Sequence, residues 1–287
     1  MGVELSVVIP VYNEENSIEP TWTSLNEVLQ SLGIPYEILF VDDGSKDRTA
    51  EIIQNLDKAR LIQHPVNRGY GAALKTGIKN ANGEYILITD ADGTYPHAEI
   101  PNLWKHAHAY DMVVGARVGD NVNIQLYRRP AKWMLRLLAN YLSGTKIPDL
   151  NSGMRIFKRD EAKKYFNIIC DGFSFTTTIT LSYLARGLLV KYVPISYFHR
   201  VGHSKIKPFK DGLNFILLIV NATTYFNPLK IFLPIAGIFI LAGLLTFLYS
   251  AIILGRFYDS TIVLFFVAGI QIGLFGLLAD LVVKRSE

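Results

Sequence analysis

The sequence predicts an α/β fold, with a mostly parallel open sheet covered by helices on both faces and an apolar hairpin near the carboxyl terminus. Short apolar, β-branched runs alternate with segments of helical spacing in the first half of the 287-residue chain. Polar and acidic clusters follow several of these runs, as they do at the carboxyl ends of parallel strands. Two long uncharged segments lie near the carboxyl terminus.

The elements alternate in the order typical of βαβ units. We expect five strands at Leu5–Val11, Tyr36–Val41, Arg60–His64, Tyr85–Thr89 and Met112–Ala116. We expect helices at Ser17–Leu32, about Thr49–Leu56, Gly71–Asn80 and Glu99–Tyr110. Gly33 ends the first helix, and Asp47 is placed to cap the second.

The fourth expected strand leads directly into Asp90 and Asp92. Both carboxylates then lie at the carboxyl end of the strand, where open α/β sheets bind their ligands. Two close carboxylates repel each other unless a cation lies between them, and a hard divalent cation carrying a diphosphate suits that position. The alternative is a strand followed by an ordinary Asp-rich turn.

Two segments are long and apolar enough to cross a bilayer as helices. Neither segment contains a charged residue; they are Ile231–Leu254 and Thr261–Ala279. The only basic residue in the loop between them is Arg256. Basic residues flank the pair at Lys205, Lys207, Lys210, Lys230, Lys284 and Arg285. The positive-inside rule therefore predicts an integral membrane protein whose large domain faces the cytoplasm. The alternative is two buried helices of a soluble core.

These observations predict three regions. Residues 1–207 form the large domain, 208–227 an interfacial helix or linker, and 228–287 two transmembrane helices at about 231–254 and 261–283. The single Cys170 excludes an internal disulfide, and a net charge of +4 is too small to indicate nucleic-acid binding. The amino terminus does not resemble a signal peptide, because Pro10 interrupts its apolar run.

A basic amphipathic segment follows Arg117. Its apolar face comprises Met134, Leu137, Leu138, Tyr141 and Leu142, while Lys132, Arg136 and Asn140 lie off that face. Such a helix can rest in the membrane interface, or it can pack on the core of its own domain. We expect a second interfacial helix at about residues 210–225.

The sequence has no G-x-G-x-x-G after any expected strand, which argues against dinucleotide binding. It also has no G-x-x-x-x-G-K-[ST], which argues against an NTPase. The chain instead resembles family 2 glycosyltransferases of the GT-A fold, and among them the polyprenyl- or dolichyl-phosphate sugar synthases with their own membrane anchor. The resemblance covers about residues 5–207. It rests on Val8–Glu15, Val41–Thr49, Asn67–Gly71, Asp90–Asp92, Gly115–Arg117, Asn151–Gly153 and Arg200–Lys205.

The resemblance implies roles for the matching positions. The implied nucleotide-binding residues are Pro10, Tyr12, Glu14, Val41, Asp43, Asp90 and Ala91. The implied catalytic residues are Asp90, Asp92 and Arg117, and the implied phosphate- and acceptor-binding residues are Arg128, Ser152, Arg200, Ser204 and Lys205. Asp90 and Asp92 would hold Mg²⁺ or Mn²⁺. Thr94 stands where relatives often carry a Gln near the metal, and its shorter side chain makes it a doubtful third ligand.

Other residues admit ordinary structural roles. Gly69 and Gly71 would let backbone N–H groups approach a phosphate, or they form a plain tight turn. Asp42, Asp47 and Arg48 are interpreted as turn and capping residues. The six histidines show no metal-ligand spacing and are interpreted as core or surface residues.

The acceptor is inferred from a missing carboxylate. Relatives that glycosylate a hydroxyl carry an acidic pair late in the domain, and neither Asn151–Met154 nor Phe173–Thr177 contains one. A hydroxyl acceptor needs a base, whereas a phosphate monoester is already ionised at neutral pH. The sequence thus favours inverting transfer of a sugar to polyprenyl or dolichyl phosphate.

The donor stays open at this stage. UDP-glucose is the first expectation and GDP-mannose the next, with UDP-galactose and UDP-N-acetylglucosamine as further possibilities, and a homo-oligomer is not excluded. One alternative is a glycosyltransferase acting on a lipid or glycan hydroxyl. A non-enzymatic alternative is a membrane-anchored module that binds a nucleotide sugar.

Overall fold

The chain is described by a computed structural model that covers residues 2–117, 140–141, 144–172, 174–196, 220, 224–225, 227–254 and 259–285. It divides into two compact units, Met1–Leu218 and Ile219–Glu287.

The first unit is built on a seven-stranded sheet with the order β3-β2-β1-β4-β6-β5-β7. The strands are β1 Leu5–Val11, β2 Tyr36–Asp42, β3 Ala59–Gln63, β4 Tyr85–Ile88, β5 Met112–Arg117, β6 Arg155–Lys158 and β7 Val190–Ile195. β6 runs antiparallel to both of its neighbours, and every other pair is parallel. The predicted α/β class with a mostly parallel sheet is confirmed.

The helices of this unit connect and cover the strands. They are α1 Ile18–Ser31, α2 Thr49–Gln54, α3 Tyr70–Asn80, α4 Ile100–Ala107, α5 Arg159–Lys163 and α6 Phe175–Ala185. α1 to α4 and β1 to β5 lie within a few residues of their expected positions. β6, β7, α5 and α6 were not expected from the sequence.

The two faces of β1 pack against different helices. Val7 and Ile9 join a core cluster with Leu25 of α1. Val8 points the other way, towards Gly77 of α3, where an added Cβ would lie 2.3 Å from Val8 Cγ1. Because side chains alternate across a strand, this arrangement covers the sheet on both faces.

A crevice opens where the strand order reverses. β1 leads outwards to β2 and β3 on one side, and β4 lies on its other side. The β1–β4 ladder ends at Val8 and Ile88, whereas the β1–β2 ladder continues to Val11 and Asp42. This reversal is the topological switch point at which open α/β sheets bind ligands.

The second unit contains two long antiparallel helices, α7 Leu229–Tyr249 and α8 Asp259–Arg285, and one π-helical turn, Ser250–Leu254, continues α7. Leu229–Ile253 and Ser260–Arg285 are long and apolar enough to cross a membrane. Only 11% and 17% of their apolar windows are buried, which does not fit the core helices of a soluble protein. The expected amphipathic segments lie almost entirely outside the described residues.

Candidate active site

Three polar loops meet at the carboxyl edge of the sheet, beside the switch point. They follow β1, β2 and β4, as the sequence predicts. A fourth loop joins them because β6 is antiparallel. Arg155, the first residue of β6, pairs with Ile88, the last residue of β4. The residues before β6 therefore lie at the same edge as Asp90 and Asp92.

Hydrogen bonds tie the loops after β1 and β2 into one rim. The Asn13 N–H donates to Ser45 Oγ at 2.9 Å, and the Lys46 N–H donates to Asn13 Oδ1 at 2.8 Å. Asn13 has a positive φ of 54°, a conformation that Asn tolerates better than most residues. The Glu14 N–H donates to Thr49 Oγ1 at 2.9 Å. These bonds leave the rim few ways to rearrange.

Turn-forming carboxylates complete that rim. Asp42 Oδ1 accepts the Ser45 N–H at 2.9 Å, and Asp47 Oδ1 accepts the Thr49 N–H at 3.1 Å. Burial alone would raise the pKa of Asp47, but hydrogen bonds from Thr49 and the Glu15 N–H lower it below its ordinary value. The geometry supports the interpretation of Asp42 and Asp47 as turn and capping residues.

Asp43 is buried and accepts three protein hydrogen bonds. The Arg68 and Gly69 N–H groups donate to its two oxygens at 2.9 and 2.8 Å, and His64 Nδ1 lies 2.7 Å from Oδ1. An ionised carboxylate offers about four acceptor sites, so the protein uses most of them. Asp43 therefore fixes the loop before α3, and any contact with a nucleotide would be an additional bond.

The helix start after that loop is capped by the chain itself. The Gly71 and Ala72 N–H groups donate to the carbonyl oxygens of Gly172 and Asp171 at 3.2 and 2.8 Å. A Cβ on Gly71 would lie 2.3 Å from the Cys170 carbonyl oxygen. The expectation that Gly69 and Gly71 admit a phosphate there is wrong, because a loop of the protein occupies that approach.

Neighbouring hydroxyl groups orient both carboxylates of the acidic pair. The Tyr70 hydroxyl donates to Asp90 Oδ1 at 2.9 Å, and burial together with the Asp90 charge raises the Tyr70 pKa well above its ordinary value. The Thr94 hydroxyl and N–H donate to Asp92 Oδ1 at 2.5 and 3.2 Å. Thr94 is fully buried, and its hydroxyl contacts Asp92. Tyr70 had no role in the sequence interpretation.

The loop before β6 presses against Asp90. A Cβ on Gly153 would lie 2.8 Å from Asp90 Oδ2, so only glycine fits there without displacing the carboxylate. The Gly153 N–H donates to the Tyr95 hydroxyl oxygen at 2.6 Å. Burial and the Asp90 charge raise the Tyr95 pKa, so this phenol stays neutral and keeps its proton.

Arg117 is held by a carboxylate that the sequence interpretation missed. Its Nε and Nη2 atoms donate to the two oxygens of Asp149 at 2.7 and 2.9 Å, and its backbone N–H donates to Oδ2 at 3.1 Å. Burial would raise the pKa of Asp149, but the Arg117 hydrogen bonds and charge lower it overall. Asp149 thus stays ionised and aims the guanidinium within the site.

A fully buried arginine supports the same loop from below. Arg155 Nε donates to the Ser152 carbonyl oxygen at 3.1 Å, and Nη1 donates to Thr176 O and Thr180 Oγ1 at 3.0 and 2.8 Å. Burial lowers the pKa of this arginine. Among the described residues, no carboxylate forms an ion pair with it, so carbonyl and hydroxyl oxygens solvate its charge.

The remaining expected site residues divide into three groups. Pro10, Tyr12 and Glu14 are partly exposed on the rim, and Glu14 accepts a bond from the Ser17 hydroxyl at 3.0 Å. Val41 and Ala91 are buried, with 0% and 3% of their surface exposed. Arg128, Arg200, Ser204 and Lys205 lie outside the described residues.

Ser152 also differs from its expected role. Its side chain is fully buried, and its hydroxyl donates to the Gly115 carbonyl oxygen at 2.5 Å. This contact joins the loop before β6 to β5. In the structure Ser152 holds the loop in place and does not offer its hydroxyl to a phosphate.

The acidic pair fits a divalent metal shared with a substrate. No group of three or more metal-ligating side chains occurs among the described residues. Mg²⁺ commonly takes only one or two protein carboxylates and completes its shell with phosphate oxygens and water. Asp90 and Asp92 supply that donor set at the switch point, with Tyr70 and Thr94 behind them.

Comparison with known proteins identifies both units. Residues 6–166 match the family model described as Glycosyl transferase family 2. Residues 227–284 match the one described as GtrB C-terminal hairpin.

Two curated relatives show how far the similarity extends. The undecaprenyl-phosphate 4-deoxy-4-formamido-L-arabinose transferase of Pseudomonas paraeruginosa is 30% identical over 301 residues, covering 96% of this chain and 84% of the relative. The low-salt glycan biosynthesis hexosyltransferase Agl6 of Haloferax volcanii is 31% identical over 228 residues. That alignment covers 77% of this chain but only 54% of Agl6, so this chain spans about half the length of that relative.

Solved structures share the fold of the first unit. Glucosyl-3-phosphoglycerate synthase of Mycobacterium tuberculosis, in complex with Mn²⁺, uridine-diphosphate-glucose and phosphoglyceric acid, superposes with a TM-score of 0.59 at 20% identity. The match covers 77% of this chain and 80% of that chain. At this identity the likeness confirms the expected GT-A type of fold.

Proposed function

From the premise that this chain belongs to glycosyl transferase family 2, we propose that it transfers a sugar from a nucleotide sugar to polyprenyl or dolichyl phosphate. The family establishes that the protein is a glycosyltransferase. The lipid-phosphate acceptor is supported by a relative that acts on undecaprenyl phosphate and aligns over 96% of this chain. UDP-glucose is the first proposed donor and GDP-mannose the second.

The observation that carries the proposal is the oriented acidic pair at the switch point. Asp90 and Asp92 follow β4, and Tyr70 and Thr94 hold one oxygen of each carboxylate. This edge of the sheet is where a nucleotide diphosphate would bind. Preorganised carboxylates need little rearrangement during reaction, which favours stabilisation of charge on a departing diphosphate.

We propose Mg²⁺ or Mn²⁺ as the metal that Asp90 and Asp92 hold. Such an ion supplies Lewis-acid stabilisation of the leaving diphosphate. The Mn²⁺ in the glucosyl-3-phosphoglycerate synthase complex supports this choice. Arg117 adds a positive charge on the neighbouring loop, directed by its two bonds to Asp149.

The state of Asp149 supports a phosphate acceptor. A hydroxyl acceptor requires a base that can take a proton. Asp149 lies at the site, but its two oxygens bind Arg117, and its pKa is lower than usual. A carboxylate in that state is a weak proton acceptor. An ionised lipid phosphate needs no such base, and we propose that its oxygen displaces the diphosphate directly, with inversion at the anomeric carbon.

The acceptor contacts are proposed from residues outside the described part of the chain. Arg128, Arg200, Ser204 and Lys205 would bind the phosphates of the lipid and the donor. Arginine suits such a role because its planar fork donates two hydrogen bonds to one phosphate.

We also propose that the catalytic unit faces the cytoplasm. The GtrB C-terminal hairpin match supports membrane association, and the basic residues flanking the spans support the orientation. A reporter enzyme that is active only in the cytoplasm, fused after Glu287, should be active. An inactive but intact reporter would contradict this orientation.

The function is tested with the purified full-length protein in detergent. Undecaprenyl or dolichyl phosphate is incubated with each of four nucleotide sugars and with Mg²⁺ or Mn²⁺, and both the nucleoside diphosphate and the lipid-linked sugar are measured. We expect both products with one donor and none after chelation. Equal activity on the dephosphorylated alcohol would overturn the acceptor assignment. Nucleotide-sugar binding without turnover would indicate a non-enzymatic module.

Asp92→Asn provides the matched control for that assay. The substitution keeps the side-chain size but removes the charge, so we expect a loss of turnover of at least about 100-fold with an unchanged unfolding curve. A near-normal rate in a folded Asp92→Asn protein would remove the proposed role of the acidic pair.

A further inference from the structure

His64 is a buried histidine that the proposed reaction does not use. It follows β3, which is an edge strand of the sheet, and 7% of its surface is exposed. Its Nδ1 lies 2.7 Å from Asp43 Oδ1, and its Nε2 lies 2.9 Å from Thr76 Oγ1 on α3. Because a carboxylate oxygen accepts hydrogen bonds, Nδ1 carries the proton between the two groups. The ring is therefore held from both sides, with a donor directed at one oxygen of Asp43.

The hydrogen bonds of Asp43 divide unequally between its two oxygens. Oδ1 accepts from His64 Nδ1 and from the Arg68 N–H at 2.9 Å, whereas Oδ2 accepts from the Gly69 N–H at 2.8 Å. Each carboxylate oxygen offers about two acceptor sites. Within the described part of the chain, Oδ1 is thus fully used and Oδ2 keeps one acceptor site. His64 makes this difference, because without it each oxygen would accept one N–H.

The contacts around His64 keep the ring and the carboxylate in register. The His64 N–H donates to the Asp42 carbonyl oxygen at 2.8 Å. A Cβ on Gly44 would lie 2.9 Å from the Val66 carbonyl carbon, so the loops after β2 and β3 are in direct contact. The partner of Nε2 lies on α3, which packs against β1 and β2. While His64 is in place, the Asp43 carboxylate therefore cannot turn to offer both oxygens to a ligand.

Asp43 lies within reach of a nucleotide whose diphosphate is bound at the acidic pair. It directly follows β2, its N–H donates to the Val11 carbonyl oxygen of β1 at 2.9 Å, and β1 lies between β2 and β4. Two strand spacings separate the ends of β2 and β4, which is about 10 Å. A nucleoside diphosphate extends over a similar length from its phosphates to its base. The remaining Oδ2 site therefore suits the base end of the proposed donor.

We infer that His64 sets the base specificity of the donor site by leaving Asp43 one acceptor, so that the site takes a uridine nucleotide and rejects a guanosine nucleotide. The inference rests on the proposed function, because it concerns the donor of that reaction. Uracil presents a single N–H, at N3, between two carbonyl groups. Guanine presents two adjacent donors, the N1–H and the N2 amino group. One acceptor satisfies uracil but leaves a donor of guanine unpaired, which a largely buried contact penalises.

Binding of nucleoside diphosphates to the full-length protein in detergent tests the inference without requiring turnover. UDP, GDP, inosine diphosphate and N3-methyl-UDP are titrated calorimetrically in the presence of Mn²⁺. Inosine differs from guanosine in lacking the N2 amino group, so the pair compares one donor with two on the same purine. We expect UDP to bind at least about tenfold more tightly than GDP or N3-methyl-UDP, and inosine diphosphate to bind more tightly than GDP. Equal binding of GDP and inosine diphosphate, or tighter binding of GDP than of UDP, would overturn the inference.

Variants of His64 separate its hydrogen bond from its volume. His64→Asn places an amide N–H near the position of Nδ1 and should keep the preference for inosine diphosphate over GDP. His64→Leu fills the space without a donor, so it should weaken UDP binding about tenfold and remove most of that preference. In steady-state assays the loss should appear in the KM for the nucleotide sugar, with kcat little changed. A His64→Leu protein that keeps the preference, or that weakens all four nucleotides by the same factor, would refute the role of His64.

His97→Leu is the matched control, because His97 is also buried, at 5% exposure, but contacts Ser24 on α1. It should leave the ranking of the nucleotides unchanged. A ranking that changes as much as in His64→Leu would assign the effect to general loosening of the unit and overturn the inference.

Thr76→Val tests the same ring if His64→Leu does not fold. It removes the partner of Nε2 but keeps the shape of the side chain, so it should lower the preference for inosine diphosphate over GDP severalfold. Thr76→Ser should restore that preference. An unchanged preference in folded Thr76→Val would count against the positioning of the ring.

The two proposals fail in different ways. Product formation from GDP-mannose and polyprenyl phosphate would support sugar transfer and overturn only the base specificity. Selective binding of UDP without lipid-linked product from any donor would overturn only the proposed function.

Discussion

The guanidinium of Arg117 and the carboxylate of Asp149 form a two-point ion pair, with N–O distances of 2.7 and 2.9 Å. Arg117 ends β5, and Asp149 lies 32 residues later in the loop before β6. The pair joins the end of one strand to the beginning of its antiparallel neighbour. It also leaves the site with an ionised Asp149 and a directed arginine.

Asp149→Asn should therefore reduce both stability and turnover. The side chains of Arg117 and Asp149 are only 23% and 10% exposed, so removing the carboxylate leaves a largely buried positive charge without its partner. We expect a loss of about 3 kcal/mol in the free energy of unfolding. Urea titration of the full-length protein in detergent, followed by tryptophan fluorescence, measures it. Arg117→Lys is the companion variant, because it keeps the charge but cannot make both bonds to Asp149. Wild-type stability in Asp149→Asn would contradict the proposed role of the ion pair.

The same pair predicts a pH dependence of stability. The pKa of Asp149 is lower in the folded protein than its unfolded value of about 3.9. Its contribution is therefore complete above that unfolded value and is lost as the pH falls below it, through the lower folded pKa. The stability difference between wild type and Asp149→Asn should be constant from about pH 6 to 8 and shrink below about pH 4. A difference that grows on acidification would contradict this sign.

Gly153→Ala should impair catalysis with little effect on folding. The added Cβ would lie 2.8 Å from Asp90 Oδ2, so the carboxylate must move. A displaced carboxylate misplaces the metal, and we expect a loss of turnover of about 10- to 100-fold. Gly172→Ala is the matched control, because its Cβ would meet only Cys170 Sγ at 3.5 Å. Similar activity in the two variants would show that Asp90 tolerates the shift.

Arg155→Lys should destabilise the first unit although it keeps the charge. Arg155 spans Ser152 O, Thr176 O and Thr180 Oγ1, and a lysine cannot reach all three from one nitrogen. Each buried carbonyl left without a donor costs about 1–3 kcal/mol. We expect a lower midpoint of urea unfolding. Because Ser152 precedes Gly153, which packs against Asp90, we also expect lower activity at urea concentrations where the variant is still folded. A variant with the wild-type midpoint would show that other donors replace the guanidinium.

Sequence reasoning located the strands that are uninterrupted apolar runs. β1, β2, β4 and β5 contain such runs, whereas β3 has only Leu61 and Ile62 between Arg60 and Gln63. β6 is the four-residue segment Arg155–Lys158, with a charge at each end, so it gives no apolar signal. β7 contains Pro194, which is compatible with a strand only because β7 lies at the sheet edge. α6 is buried nearly all round and threonine-rich, so it lacks an amphipathic pattern.

The site was predictable where its residues directly follow a strand. Asp90 and Asp92 have that signal. The contacts between Tyr70 and Asp90, Arg117 and Asp149, and Gly153 and Asp90 join residues 20 to 63 positions apart. The last two also depend on how β6 inserts between β4 and β5. Local patterns carry no information on such pairing. Ser152 was assigned to phosphate by motif alone, whereas its burial gives it a structural role.

Thr94→Val should separate the orientation of Asp92 from its charge. Valine matches threonine in shape but cannot donate to Asp92 Oδ1, which the hydroxyl reaches at 2.5 Å. The backbone N–H bond at 3.2 Å remains, so the carboxylate is loosened without being removed. We expect turnover to fall about tenfold and half-saturation by Mn²⁺ to need more metal. Thr94→Ser restores the hydroxyl and should recover most of the activity. Metal titration of the steady-state rate for the three proteins decides the matter, because a merely structural Thr94 would leave the metal requirement of the folded enzyme unchanged.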